Sequence, residues 1–147
     1  MKVVATNKFA HFNYFLLETF EAGIALRGSE IKSVRQNGMT LNESFILLSK
    51  SGVLLKNCFI KPYQTITGFS PDPRRDRELL LNKIEIQKLR ENIEKQGLTI
   101  IPVKAYFKDE KLKIEIALAR GKKLFNKKED LKERDIKREQ ERRYLSK

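Results

Sequence analysis

Three arginines, Arg74, Arg75 and Arg77, fall within four residues of "PDPRRDRELLL". A guanidinium is planar, permanently charged and carries a fork of donors, so it suits phosphate oxygens and can stack on bases. Leu79, Leu80 and Leu81 follow and can anchor the segment while the guanidiniums project. Asp72, Asp76 and Glu78 are interleaved, so a solvated loop of local ion pairs is the competing reading. Lys32 and Arg35, three apart in "GSEIKSVRQNG", would share one helix face. Glu21 is a carboxylate inside the apolar run "TFEAG". It either faces solvent or accepts hydrogen bonds, and base amino groups and ribose hydroxyls are suitable donors.

Catalytic chemistry has little to work with. His11 is the one histidine and Cys58 the one cysteine in 147 residues, so neither a histidine metal cluster nor an intramolecular disulfide is available. Cys58 lies in the strand-like "VLLKNCFI" and reads as a buried, inert thiol; His11 reads as structural. No glycine-rich phosphate loop is present, because Gly28 and Gly38 are too far apart. These features argue against an enzyme, and no cofactor or metal is expected.

The elements that must position these groups are mainly β. "NYFLLETFEAGIALRG" reads as a strand with a bulge or bend at Gly23. Ser29 to Gly38 reads as a short helix capped by Ser29. "ESFILLSKSGVLLKNCFI" is a hairpin around Lys50-Ser51-Gly52, and the proline-rich "KPYQTITGFSPDPRRD" a loop. In "NKIEIQKLRENIEKQG", Ile84, Ile86, Leu89 and Ile93 form an apolar helix stripe that Gly97 ends. "LTIIPVKAYF" and "KLKIEIALA" are strands flanking Lys108-Asp109-Glu110. About six strands with short helices and no long crossover suggest an OB-like six-stranded antiparallel β-barrel, or a strongly curled sheet of that kind, spanning residues 1–121.

The remaining 122–147 form a charged C-terminal tail with eleven basic residues against six acidic, a net +5 of the chain's +12. Its apolar residues do not form a stripe. The pairs Glu133–Lys137, Asp130–Arg134 and Glu139–Arg143 are well oriented, but each contributes only about 0.2–0.5 kcal/mol. Such a segment is poised between disorder and helix and can fold on a polyanion. The overall excess of 31 Lys/Arg over 19 Asp/Glu points to nucleic acid as partner. No apolar run approaches a membrane span and the N-terminus lacks a signal-peptide layout, so a reducing cytoplasm and no membrane are expected. From the residues alone, a generic single-strand RNA chaperone and a protein-docking module both stay open.

Four blocks narrow this: "NKFAHFNYFLLETFEAGIAL", "GSEIKSVRQNGMTLNESF", "DPRRDRELLLNKIEI" and "ALARGKKLFNKKEDLKERDIKRE". In this order and spacing they resemble the small protein B family, the SsrA-binding proteins of bacteria. The resemblance implies an OB-like barrel that binds the tRNA-like domain of transfer-messenger RNA (tmRNA) and carries it to stalled ribosomes for trans-translation. It implies a tail that becomes helical in the vacant mRNA channel near the decoding centre and 16S rRNA, elongation factor Tu as an indirect partner, and a bacterial, cytoplasmic setting; a monomer is the simplest state. By position, the implied RNA-binding residues are Asn7, Lys8, Glu21, Lys32, Arg35, Arg74, Arg75 and Arg77. The implied tail residues are Lys122, Lys123, Asn126, Lys127, Lys128, Lys132, Arg134, Lys137 and Arg138. The chain departs from the family pattern at Asn126-Lys127-Lys128, usually Asp-Lys-Arg, where Lys128 keeps the charge and loses the fork. Phe12 stands where histidine is frequent, and Glu78 where lysine is common.

Overall fold

The computed structural model describes residues 1–63 and 71–122. Twelve elements follow in order: β1 (Lys2–Thr6), α1 (Ala10–Asn13), β2 (Tyr14–Ile24), α2 (Gly28–Arg35), β3 (Met39–Thr40), β4 (Phe45–Ser49), β5 (Gly52–Lys56), β6 (Phe59–Ile60), β7 (Arg77–Leu80), α3 (Lys83–Gln96), β8 (Thr99–Lys108) and β9 (Lys111–Gly121).

Seven strands form one antiparallel sheet in the order β1-β8-β9-β2-β7-β5-β4, and β3 pairs with β6 in a separate ribbon. The sheet curls so that β4 comes against β8 and β1 against β3. The architecture is mainly β and antiparallel with short helices, as the sequence suggests, but with more strands than six. The three extra strands are short or polar: β1, the two-residue β3, and β7, which begins within the arginine segment. β7 is central, paired to β2 through Gly23↔Leu80 and to β5 through Leu55↔Arg77.

The core lies inside the curl. Val34, Leu41, Val53, Leu55, Leu89, Ile114 and Ile116 are fully buried there. β9 shows the expected alternation, with Leu112, Ile114, Ile116 and Leu118 turned inward. A second, smaller cluster of Ala10, Ile101, Val103, Ala117 and Ala119 is buried where α1 packs against β2 and β8. The β8–β9 hairpin turns on Asp109 and Glu110, both at positive φ (50° and 66°), a two-residue turn whose twist matches the strands.

α3 forms as its ends dictate. Asn82 Oδ1 accepts from the Glu85 N–H at 2.8 Å, and Glu85 Oε1 accepts from the Asn82 N–H at 3.3 Å. Gly97, at φ 64°, ends the helix in the left-handed conformation. Of the expected stripe, Ile86, Leu89 and Ile93 pack on the core, whereas Ile84 is 82% exposed. Two residues before Ile86, it lies about 200° round the helix and faces water. Two further expectations are corrected. The bulge of β2 falls between Leu16 and Glu18, while Gly23 stays in register; a Cβ there would come within 3.3 Å of the Leu80 side chain. And Ser29 is not the cap of α2: the helix starts at Gly28, with Glu30 Oε1 accepting from the Arg27 N–H at 2.9 Å.

Candidate nucleic-acid interface

The three arginines end in three different environments. Arg77 opens β7, and its side chain is fully buried. Its Nε and Nη2 donate to Glu30 Oε2 at 2.9 and 2.7 Å, its Nη1 donates to the Cys58 carbonyl, and Nη2 also reaches the Pro73 carbonyl at 3.0 Å. Arg75 is a quarter exposed and donates through Nε and Nη2 to the same Glu30 carboxylate. Glu30 is itself 3% exposed. Burial alone would push its carboxyl up; the donors from Arg75, the Arg27 N–H and Arg77 outweigh that and hold it below its ordinary value. Arg77 is therefore a structural cation, not a projecting one, because a guanidinium with no access to solvent offers nothing to a phosphate. Its partner is neither of its sequence neighbours Asp76 and Glu78 but Glu30 on α2.

Arg74 is the arginine left at the surface. Its guanidinium lies 5.3 Å from the Phe59 ring centroid, and Nη1 donates to Asn57 Oδ1 at 3.1 Å. Asp72 Oδ1 accepts from the Arg74 N–H at 2.9 Å, and the Ile60 N–H donates to the Pro73 carbonyl at 2.9 Å. The buried Glu30 cluster thus fixes the turn that presents Arg74. Sequence reasoning misses Glu30, Asn57 and Phe59 as its supports, since each is distant along the chain.

Asn7 is likewise buried and makes its hydrogen bonds within the fold. It is 8% exposed; its Nδ2 donates to the Pro102 carbonyl at 2.9 Å and its Oδ1 accepts from the Phe9 N–H at 3.2 Å. These bonds pin the segment that carries Lys8, Phe9 and α1 onto β8. Lys8 is exposed, with its N–H held by Asn42 Oδ1 at 3.1 Å. Phe9, Phe12 and Phe15 are each 39–50% exposed, rings that suit base stacking. Lys122 joins this group. It is buried, its N–H donates to the Asn13 carbonyl at 2.9 Å, Nζ donates to the His11 carbonyl at 3.1 Å, and the ammonium lies 4.7 Å from the Phe15 ring centroid. The first expected tail residue is thus tied to the folded part. Lys123, Asn126, Lys127, Lys128, Lys132, Arg134, Lys137 and Arg138 lie outside the described residues.

Glu21 stands on the exposed face of β2. The Tyr106 hydroxyl donates to its Oε2 at 2.7 Å, and Lys108 Nζ is 3.5 Å from the same oxygen. The Tyr106 hydrogen bond, more than the lysine, holds the Glu21 carboxyl below its ordinary value. Burial, with Glu21 adding to it, pushes the Tyr106 phenol up, so Tyr106 stays a donor at neutral pH. Two residues along β2, Gly23 edges a cleft of about 380 Å3 that also involves Arg35, Leu80, Phe107 and Lys113. Lys32 and Arg35 share a helix yet reach different rings: Lys32 Nζ is 5.8 Å from Tyr63, and the Arg35 guanidinium 5.1 Å from Phe107. Phe107 completes this patch beside Arg35, and Tyr106 and Lys108 were not legible as partners of Glu21, being some 85 residues away along the chain.

Burial pushes the Cys58 thiol up to about 11, so it is an unreactive core group as expected. Among the described residues no group of three or more metal-ligating side chains occurs, and no helix is long and apolar enough to cross a membrane. Among the described residues the surface therefore offers exposed cations, exposed rings and, in Glu21, a carboxylate held below its ordinary value, groups whose chemistry suits a polyanion.

Comparison with known proteins agrees with this chemistry. The family model "SmpB protein" matches residues 4–146. The SsrA-binding protein of Persephonella marina is 49% identical over 147 residues, covering 100% of this chain and 97% of that one. The SsrA-binding protein of a Sulfurihydrogenibium species is 49% identical over 146 residues, covering 99% and 96%. A solved chain described as "tmRNA-SmpB: a journey to the center of the bacterial ribosome" superposes with a TM-score of 0.65 at 42% identity, over 81% of this chain and 84% of that one.

Proposed function

The chain belongs to the SmpB family, and from that premise we propose that it binds tmRNA, the SsrA RNA, and delivers it to stalled ribosomes for trans-translation. The observation that carries this reading is the agreement of essentially the whole chain, residues 4–146, with the family model. The interface chemistry supports it. Lys8, Arg35, Arg74 and Lys108 supply phosphate-directed charge, and Phe9, Phe12 and Phe15 supply stacking surface. Glu21, kept ionised, accepts from base amino groups or ribose hydroxyls.

In this reading the folded part holds the tRNA-like domain of tmRNA and works as a binder, not an enzyme. Residues from Lys123 onward fold as a helix in the vacant mRNA channel; an occupied channel leaves them no site. Elongation factor Tu meets the chain through tmRNA, and the setting is the bacterial cytoplasm. The test is co-purification of RNA with the chain from cells, followed by sequencing. Strong enrichment of tmRNA is expected; an unselective RNA population would leave only a generic RNA binder.

A further inference from the structure

The ribbon of β3 and β6, with Thr40 opposite Phe59, floors a cleft of about 210 Å3 walled by Asn42, Glu43, Asn57 and Arg74. It lies apart from the Glu21 patch and shares no lining residue with the cleft beside Gly23. Its volume is below the roughly 300–1,000 Å3 of pockets for drug-sized molecules and suits a single ring system. We propose that this cleft is a binding site for one unpaired guanine base of RNA. The proposal rests on the RNA-binding reading above and adds a subsite to it.

Three features carry the assignment. The first is a stacking surface: the Arg74 guanidinium lies over the Phe59 ring at 5.3 Å, and planar π-faces and guanidinium planes both take a stacked base. The second is rigidity. Arg74 is held by Asn57 Oδ1 at 3.1 Å and through its N–H by Asp72. Asn57, in the left-handed region at φ 58°, donates through Nδ2 to the Glu43 carbonyl at 3.2 Å. Asn42 Oδ1 is occupied by the Lys8 N–H at 3.1 Å, while its Nδ2 takes part in no hydrogen bond among the described residues and remains a donor.

The third feature is the Glu43 carboxylate, which selects the base. It is 75% exposed and sits 3.8 Å from Arg74 Nη1, a long surface contact that a ligand can exchange. Guanine alone among the four bases presents two adjacent N–H donors, N1–H and N2–H, on its Watson–Crick edge. A carboxylate accepts both, one on each oxygen. That edge is free only when the base is unpaired. Adenine, cytosine and uracil each place an acceptor within this edge, against the carboxylate.

The test is a titration of the 15N-labelled full chain with GMP, AMP, CMP and UMP, following the side-chain amides of Asn42 and Asn57 by NMR. GMP is expected to shift them saturably, with AMP about tenfold weaker or more. Glu43→Gln, at an exposed side chain, should leave the fold intact and remove the preference for GMP, because an amide presents one acceptor and one donor and no longer accepts from both N–H groups of guanine. Equal responses to all four nucleotides, or unmoved amides, would overturn the assignment. A parallel tmRNA-binding measurement separates the two readings. If tmRNA binds while GMP leaves the amides unmoved, the guanine site is wrong and the adaptor reading stands. If tmRNA fails to bind, the adaptor reading is wrong and the nucleotide preference still decides the site.

Discussion

Arg77 on β7 donates twice to a single oxygen of Glu30 on α2, through Nε at 2.9 Å and Nη2 at 2.7 Å, with both side chains buried. Arg75 adds a second guanidinium to the same carboxylate. A carboxylate in the interior persists as an ion because its donors replace the water it lost. The cluster joins helix to sheet and holds the turn that presents Arg74.

Removing one partner leaves the other buried and unpaired. Arg77→Ala and Glu30→Ala are each expected to cost about 3–5 kcal/mol of stability. The measurement is the midpoint of urea unfolding. A loss within the ordinary ±0.5 kcal/mol of a surface substitution would contradict the burial.

The same carboxyl makes stability depend on acid. Its folded value is depressed, so the stabilisation is complete above the unfolded value of about 4.3 and is lost as pH falls through the lower folded value. Wild-type stability should therefore decline below about pH 4.3 more steeply than that of Glu30→Gln, which has no proton to bind there. Unfolding titrations of both proteins down the acid range read the difference. Parallel curves would show that Glu30 takes no part in the acid response.

Glu21→Ala removes a negative charge from a basic protein, yet weaker tmRNA binding is expected. The carboxylate is poised as an acceptor by Tyr106 and Lys108. Losing one charge-assisted hydrogen bond corresponds to about tenfold or more in the dissociation constant. Binding is to be compared at one salt concentration, since a change in net charge alone would tighten it. An unchanged or tighter constant rules out the accepting role.

Truncation after Lys122 should spare tmRNA binding and abolish tagging on stalled ribosomes. Truncation before Lys122 should in addition loosen α1, because the Lys122 N–H and ammonium donate to Asn13 and His11. Filter binding and a tagging assay on the two truncations separate these effects. Equal loss of binding and tagging in the longer one would defeat the division of labour.

Local signals determine their elements within reach of a few residues, and these were legible in the chain itself. Asn82 with Glu85 and Gly97 set the ends of α3. Alternation at Leu112, Ile114, Ile116 and Leu118 sets the inward face of β9. The net +12 marks a polyanion as partner, and the four sequence blocks name the family. The roles of the arginines were not legible, because Asp76 and Glu78 stand next to Arg77 and look like its partners. β7 begins at Arg77, and adjacent strand residues point to opposite faces, so Glu78 faces outward while Arg77 faces in. Its counter-ion comes from a helix 47 residues earlier, brought there only when the sheet curls. Tertiary structure thus decided which cation is buried and which is exposed: burial turns Arg77 into a strut, and the cluster it builds leaves Arg74 at the surface.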